Sequence, residues 1–319
     1  MTVTFRAQNV GDYWTNCENR WNIELGELGR HRHKRLYLNP ATIGTSLEEG
    51  YSQFENEHGN EKLEGILAFI MKTTRFATPL KEMIQADFVC RRGLLRNISI
   101  NKNCTNYICF FAVRQRGVIF LCEDKNFGDA PDKLRRAMYY ALKFEQLMTY
   151  PQSRNNVTAS KTQETKTVIR AVFEKENTEP IRVFYAAEVD CLDQYGYPVE
   201  FKTISKPLET GWDKNRTMAW YMQCLLANVK TVVVGERQRL CLKAIKTVDA
   251  DKIYTHRTQN WNRDSCFEHI YDTLNFVRHH MTHDGMSLKF TAINGSNYVS
   301  TTPYGEYIVP ENFLRHFPF

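Results

Sequence analysis

Residues 186–205, AAEVDCLDQYGYPVEFKTIS, contain an unusual concentration of side chains that could do chemistry. The segment predicts a hairpin, because residues 194–198, QYGYP, supply the glycine and proline of a turn between two alternating stretches. Residues i and i+2 of a strand point to the same face. The hairpin would gather three carboxylates and one ammonium on one surface and turn Val189 and Phe201 toward the core. The charged residues are Glu188, Asp190, Glu200 and Lys202.

Two interpretations of this charged face compete. Charges that alternate along a hairpin are most often a solvated surface with cross-strand ion pairs. Here, however, the carboxylates outnumber the lysine, and crowded like charges are unfavourable unless a cation lies between them. An aspartate followed by a glutamate-x-lysine triplet is also a nuclease pattern, in which carboxylates hold Mg²⁺ and the lysine lies by the scissile phosphate. Glu123 ends a further predicted strand and would complete the oxygen cage if that strand lies beside the hairpin.

The composition favours an intracellular globular protein. The chain has 319 residues, of which 42% are hydrophobic, so it can bury a sizeable core. A net charge of +6 permits a polyanionic partner without demonstrating one. The nine cysteines are scattered without a CxxC pair, which favours a reducing compartment over a zinc or disulfide framework. We expect no signal peptide and no membrane association, and a cytoplasmic or nuclear location.

The pattern of elements predicts an α/β (α+β) fold with mixed central β-sheets flanked by helices. We predict a single domain over residues 1–319, because similar material lies on both sides of the polar segment 150–166, which we interpret as an exposed loop. Helical spacing of apolar residues predicts helices over 60–73, 131–148, 213–227 and 263–281. Predicted strands cover 86–90, 106–113, 117–123, 167–174, 181–192, 198–205, 230–236 and 239–247.

Several motifs, in order along the chain, resemble those of the DXO family of RNA 5′-end decapping exonucleases. Residues 88–98, FVCRRGLLRNI, look like the family's Arg-Gly motif and place Arg92 at its arginine. Residues 117–123, GVIFLCE, are similar to its glycine-to-glutamate motif, which ends at Glu123. Further similar segments are YLNPATIGTSLEEGYSQF at 37–54, YYALKFEQL at 139–147, EVD at 188–190, EFK at 200–202 and WYMQCLLANVKTVVVGER at 220–237.

The chain also departs from the family pattern in three places. Arg91 stands where an aromatic residue is expected, and Asn228 stands where a glycine is common. The turn between the two acidic triplets is short. None of these departures removes a residue expected to bind metal.

The resemblance implies a P-D-(D/E)-x-K nuclease-like core and a metal-dependent hydrolase that acts in RNA 5′-end quality control. Its substrates would be triphosphorylated ends, incompletely methylated m7G caps or NAD caps on single-stranded RNA. The resemblance leaves open which 5′ end is preferred, whether 5′–3′ exoribonuclease activity is present, and whether a nuclear 5′–3′ exoribonuclease is bound. The expected cofactor is Mg²⁺ or Mn²⁺, with two ions.

The resemblance also implies a role for each site residue. Lys202 would orient the attacking water or neutralise charge in the transition state, while Arg92 and Gln223 would bind phosphates. The alternative for Arg92 is a surface arginine on a basic segment, since Arg91 and Arg96 flank it. From the residues alone, a helix-surface amide is the favoured interpretation of Gln223. The expected metal ligands are Glu123, Glu188 (bridging or through water), Asp190, Glu200 and the backbone carbonyl of Phe201.

Two other functions compete with the hydrolase. The first is a catalytically inactive RNA-binding or scaffold protein on the same fold. The intact acidic set and Lys202 argue against it, because an inactive protein has no reason to keep crowded carboxylates. The second is a DNA nuclease of the wider restriction-like group, which is disfavoured only by the motifs outside the hairpin.

Overall fold

The computed structural model describes residues 2–54, 61–102, 107–124, 131–149, 158–255, 261–300 and 308–319. These residues form two β-sheets flanked by helices, which confirms the predicted mixed α/β class. The strands are β1 (Val3–Asn16), β2 (Ile23–Leu25), β3 (Phe88–Arg91), β4 (Ile108–Gln115), β5 (Val118–Glu123), β6 (Gln163–Lys175), β7 (Ile181–Val189), β8 (Cys191–Leu192), β9 (Pro198–Ile204), β10 (Thr231–Gln238), β11 (Cys241–Asp249), β12 (Ser287–Ile293) and β13 (Ser296–Ser300). The α-helices are α1 (Gly26–His31), α2 (Glu64–Thr73), α3 (Leu80–Ile84), α4 (Arg92–Asn101), α5 (Asp132–Thr149), α6 (Leu208–Gly211), α7 (Lys214–Leu225), α8 (Ala250–Tyr254), α9 (Arg263–His280) and α10 (Glu311–His316).

Three neighbouring parallel strands form the centre of the large sheet. Its strand order is β13-β12-β4-β5-β3-β7-β6-β1-β2. Strand β3 pairs in parallel with β5 on one side and with β7 on the other, whereas the remaining pairs are antiparallel. The carboxyl ends of β5, β3 and β7 therefore lie at one edge of the sheet. This is where open sheets with parallel strands usually carry their ligand sites.

The small sheet has the order β11-β10-β9-β8, with β9 and β10 parallel. The chain passes from the large sheet to the small one at Asp190, between β7 and β8. The prediction that residues 181–192 and 198–205 form one hairpin is therefore wrong, because the two segments belong largely to different sheets. Strand β7 pairs with β6 and β3, and only the two residues of β8 pair with β9. The predicted turn at 194–198 is present, with Gly196 at φ 86°.

Helices cover both faces of the large sheet and both faces of the small sheet. Helices α4, α7 and α9 bury Leu95, Met222 and Ile270 in one continuous core against the first face of the large sheet. Helix α2 buries Ile70 in a second core on the opposite face. Helix α5 packs on the small sheet, where the rings of Phe144 and Phe201 meet edge to face at 5.8 Å. The helices thus fix the positions of both sheets around their junction.

Several elements were absent from the sequence-based prediction. Strand β1 pairs with β6 along its whole length, yet most of its residues are exposed or half-buried, so its sequence carries little apolar alternation. Strand β6 begins at Gln163, inside the predicted loop 150–166, and buries Glu164 and Lys166. Residues 150–157 of that loop lie outside the described residues. Within the described ranges, no helix is long and apolar enough to cross a membrane.

Candidate active site

The convergence of the predicted site residues follows from the parallel strand ends. Glu123 is the last residue of β5, and Arg92 begins α4 directly after β3. Glu188 is the penultimate residue of β7, and Asp190 follows that strand. Strand β9 of the small sheet adds Glu200 next to this edge, because Asp190 Oδ2 accepts a 2.7 Å hydrogen bond from the Phe201 backbone N–H.

Glu200 lies at the centre of the site, and only 3% of its side chain is exposed. Its Oε1 atom lies 2.5 Å from Lys202 Nζ and accepts a hydrogen bond from Gln223 Nε2. Its Oε2 atom lies 3.5 Å from Arg92 Nη1. Arg92 also donates to the backbone carbonyl of Gln223 at 3.3 Å. The structure therefore brings four of the predicted residues into one contact set and excludes the surface interpretations of Arg92 and Gln223.

Glu123 lies near the start of α4, the helix that begins at Arg92. Its Oε1 atom accepts a hydrogen bond from Asn97 Nδ2, one turn along α4. Its Oε2 atom lies close to the start of that helix, 4.0 Å from where a Cβ on Gly93 would be. Asn97 was missed as a site residue because α4 itself was not predicted, although the residue lies within the quoted Arg-Gly motif.

Asp190 carries the clearest electrostatic sign of crowded carboxylates. Burial raises the pKa of Asp190 well above its ordinary value, and the negative charges of Glu200, Glu145 and Glu188 raise it further. Lys202 opposes this shift only in part. When all four carboxylates are ionised, Lys202 therefore does not balance the negative charge around Asp190.

Glu188 is held apart from the Glu200 contact set. Its Oε1 atom lies 2.8 Å from Lys161 Nζ. Burial acts to raise the pKa of Glu188, but Lys161 and Lys166 bring it below its ordinary value despite repulsion from Glu164. Lys161 precedes β6 in a segment predicted as an exposed loop, and no sequence signal connected it with Glu188.

The donor set suits a hard divalent cation. Carboxylate and carbonyl oxygens are the ligands that Mg²⁺ and Mn²⁺ prefer. A cation beside Asp190 would also offset the charges that raise its pKa. Over the described ranges, no three Asp, Glu, His or Cys side chains already converge on one point, because Glu200 is engaged by Arg92, Lys202 and Gln223 instead.

The two substitutions that depart from the family pattern both have a local explanation. Arg91 is the last residue of β3, and its Nη2 atom is 2.5 Å from Glu61 Oε2. Asn228 adopts a left-handed backbone with φ 53°, a conformation that favours glycine and is tolerated by asparagine.

Glu145 is a further carboxylate near the site. Glu145 lines a small cleft together with Glu188 and Asp190, so it faces the site and is not an exposed helix charge. Its Oε1 atom lies 2.5 Å from Nζ of Lys34, within the histidine-, arginine- and lysine-rich segment HRHKR at 31–35. Only the fold brings these residues together, because they are far apart in the sequence.

Carboxylates at the ends of two parallel strands of one sheet, together with a lysine two residues after a buried glutamate, define the class of PD-(D/E)XK-type nucleases. A family model described as "RAI1 like PD-(D/E)XK nuclease" matches residues 19–314, and the chain belongs to this family. The predicted family and nuclease-like core are thereby confirmed.

Named relatives and solved structures agree with this assignment. The chain is 28% identical over 339 residues to the decapping nuclease dom-3 of Caenorhabditis elegans, covering 98% of this chain and 84% of that protein. The crystal structure of Candida albicans Rai1 in complex with pU5 and Mn²⁺ superposes with a TM-score of 0.75 at 17% identity, covering 99% and 96% of the two chains. Scheffersomyces stipitis Rai1 in complex with (3′-NADP)⁺ and calcium gives a TM-score of 0.73 at 13% identity, covering 94% and 91%. At these identities the solved structures establish the fold.

Proposed function

We propose that this protein is a divalent-metal-dependent hydrolase that cleaves phosphate bonds at the 5′ ends of single-stranded RNA. The observation that carries the proposal is the buried Glu200 carboxylate, which Arg92, Lys202 and Gln223 contact beside Asp190. The named decapping nuclease among its relatives supports the same reaction class.

Each side chain has a role that its position supports. Glu123, Asp190, Glu200 and the Phe201 carbonyl would hold the metal, and Glu188 would act from the second strand end, directly or through water. When bound, Mg²⁺ or Mn²⁺ supplies charge that polarises a phosphate and makes a water molecule more acidic.

The cationic and amide groups act on the phosphate. Arg92 presents a planar guanidinium that can bind two phosphate oxygens at once. Lys202 brings an ammonium to the same place, where it would neutralise negative charge that develops in the transition state. Gln223 donates through its amide and accepts from Arg92 through its backbone carbonyl, so it also fixes the direction of the guanidinium.

The finer properties extend this proposal. We expect two metal ions, and we expect triphosphates, incomplete m7G caps and NAD caps among the removable groups. The Rai1 structure that contains (3′-NADP)⁺ supports a pocket that admits a dinucleotide. A cytoplasmic or nuclear location, the single domain over 1–319 and a 5′–3′ exoribonuclease partner stay predictions.

The test is hydrolysis of RNAs that differ only at the 5′ end. Wild-type protein is incubated with Mn²⁺ or Mg²⁺ and RNAs that carry a triphosphate, an unmethylated cap, a methylated cap, an NAD cap or a monophosphate. The catalytic variant is Glu200→Gln, which keeps the shape of the side chain. The matched control is Glu236→Gln, a buried glutamate on the neighbouring strand β10 that also contacts a lysine.

Release of the 5′ group by wild type and the control, but not by Glu200→Gln, would establish the hydrolase and rank its substrates. Shortening of the monophosphorylated RNA would add the exonuclease activity. Absence of product from every RNA, together with RNA binding that does not depend on metal, would favour the inactive scaffold. Cleavage of single-stranded DNA in preference to RNA would favour the DNA nuclease.

A further inference from the structure

A cluster of largely buried charges includes Glu188. It consists of three glutamates and four cations, and we call it the buried ion cluster. Its centre is Glu164, whose side chain is 1% exposed and which contacts Lys166 at 2.8 Å, Lys161 at 2.7 Å and Arg20 at 3.4 Å. The members are Arg20, Glu61, Arg91, Lys161, Glu164, Lys166 and Glu188.

Most of this cluster is fixed by contacts that do not involve the site. Lys166 is 3% exposed and contacts both Glu164 and Glu61. Glu61 contacts Arg91 in turn, through its side chain and its backbone carbonyl. Removing one partner of a buried ion pair leaves the other charge uncompensated, which is energetically costly. The contacts of Glu164 therefore hold it rigidly, and it serves as the anchor of the cluster.

Lys161 connects this anchor to Glu188. Its ammonium lies 2.7 Å from Glu164 Oε1 and 2.8 Å from Glu188 Oε1. Lys166 is the cross-strand neighbour of Glu188 in the β6–β7 register, but its ammonium is committed to Glu61 and Glu164. Among the described residues, Lys161 is the only polar partner of the Glu188 carboxylate, and the contact uses one of its two oxygens.

We infer that Lys161 is a positioning residue, which holds Glu188 through one oxygen and leaves the other directed to the metal or its water. This inference rests on the proposed function. Outer-shell partners of metal-binding carboxylates orient them, and their loss typically weakens metal binding about 10- to 100-fold. The Arg91 substitution fits the same arrangement, because Arg91 pairs with Glu61 and thereby helps to compensate the buried glutamates.

The experiment measures Mn²⁺ affinity by titration calorimetry and, separately, kcat and KM for RNA. The variants are Lys161→Met, Lys161→Arg, Glu188→Gln and the double variant Lys161→Met with Glu188→Gln. Lys246→Met is the matched control, because Lys246 also bridges two glutamates, Glu209 and Glu236, and has a similar exposure of 32% against 28%. Thermal unfolding reports any loss of folding, and Lys161→Gln replaces Lys161→Met if that variant does not fold.

We expect Lys161→Met to bind Mn²⁺ about tenfold more weakly and to lose kcat with little change in KM. Lys161→Arg should recover part of the loss, and the double variant should be no worse than Glu188→Gln alone, because both changes remove one interaction. Lys246→Met should match the wild type.

Three results would overturn the inference. Mn²⁺ affinity of Lys161→Met within twofold of wild type would show that Glu188 does not depend on the lysine. A second contrary result is that the activity losses of the two single variants multiply in the double variant, while KM for RNA rises and RNA binding depends less strongly on salt concentration. Lys161 would then be an RNA contact instead. A wild type that neither binds Mn²⁺ nor releases any 5′ group would overturn the proposed function as well, and so is distinguishable from a defect confined to the Lys161 variants.

Discussion

Arg92 and Glu200 form an ion pair that joins the two sheets. Arg92 follows β3 of the large sheet and Glu200 lies on β9 of the small sheet, with 3.5 Å between Nη1 and Oε2. Both side chains are mostly buried, at 11% and 3% exposure. A change in either partner is therefore expected to affect the site more strongly than a change in an exposed pair.

We predict that Arg92→Met lowers kcat/KM for RNA 5′-end hydrolysis about 100-fold or more, because it removes the planar phosphate-binding group. Arg92→Lys should lose less, since it keeps the charge but not the paired donors. Steady-state kinetics with the preferred RNA measure both. Arg278→Met is the matched control, because Arg278 Nη1 likewise contacts a backbone carbonyl and a glutamate, those of Pro180 and Glu179. Equal losses in the Arg92 and Arg278 variants would count against a specific role.

Metal binding should stabilise the folded protein. A cation beside Asp190 offsets the carboxylate charges that raise its pKa, and a ligand at about 100 times its Kd adds about 2.7 kcal/mol to the free energy of unfolding. Denaturant unfolding with Mn²⁺ and with a chelator measures this difference. Asp190→Asn should reduce it, whereas Asp251→Asn, an exposed change in α8, should leave it intact. Equal stability with metal and with chelator in the wild type would contradict the prediction.

Asn228 should tolerate glycine better than alanine. Its left-handed φ of 53° costs a residue with a Cβ about 1–2 kcal/mol unless, like asparagine, it adopts that region readily. We expect Asn228→Ala to lower the free energy of unfolding by about 1 kcal/mol, and Asn228→Gly to stay within about 0.5 kcal/mol of wild type. Chemical denaturation measures both values, and an alanine variant as stable as the glycine variant would show that the backbone conformation is not responsible.

His269 on α9 should make stability depend on pH. Burial lowers its pKa below 6.5, Lys102 lowers it further, and Asp272 opposes the shift. As the pH falls, His269 of the unfolded chain therefore takes up a proton before His269 of the folded protein does. The contribution of the neutral histidine to the free energy of unfolding is complete above pH 6.5 and is lost as the pH falls toward the folded-state pKa. The slope is at most about 1.4 kcal/mol per pH unit for one proton.

Unfolding free energies measured between pH 7.5 and pH 5 for wild type and His269→Leu test this. The variant should show the smaller pH slope, and the comparison concerns the slope rather than the absolute stability. His283→Leu, an exposed histidine, is the control and should keep the wild-type slope. Parallel curves for His269→Leu and wild type would remove His269 as the cause.

The sequence by itself determined the residue types of the site and the local elements with strong periodicity. The i, i+2 spacing of Glu200 and Lys202 on a strand was sufficient to predict their shared face, and they are in contact. Helix α9 was predictable because burial of one of its faces places apolar residues at helical spacing. Strand β5 was predictable because burial of both of its faces makes it a short continuous apolar run. The ordered motifs indicated the family because each motif is a short local segment that the sequence alone contains.

Only the tertiary structure decided which charges meet. Strand β1 is largely exposed and is defined by its partner β6, so no local pattern revealed it. The break at Asp190 depends on a hydrogen bond from the Phe201 N–H of the other sheet. The Lys161–Glu188 contact depends on Glu164, which Lys166 of the same strand holds in place. Contacts of this kind join residues far apart in the sequence, and their energies depend on burial that only the assembled sheets provide.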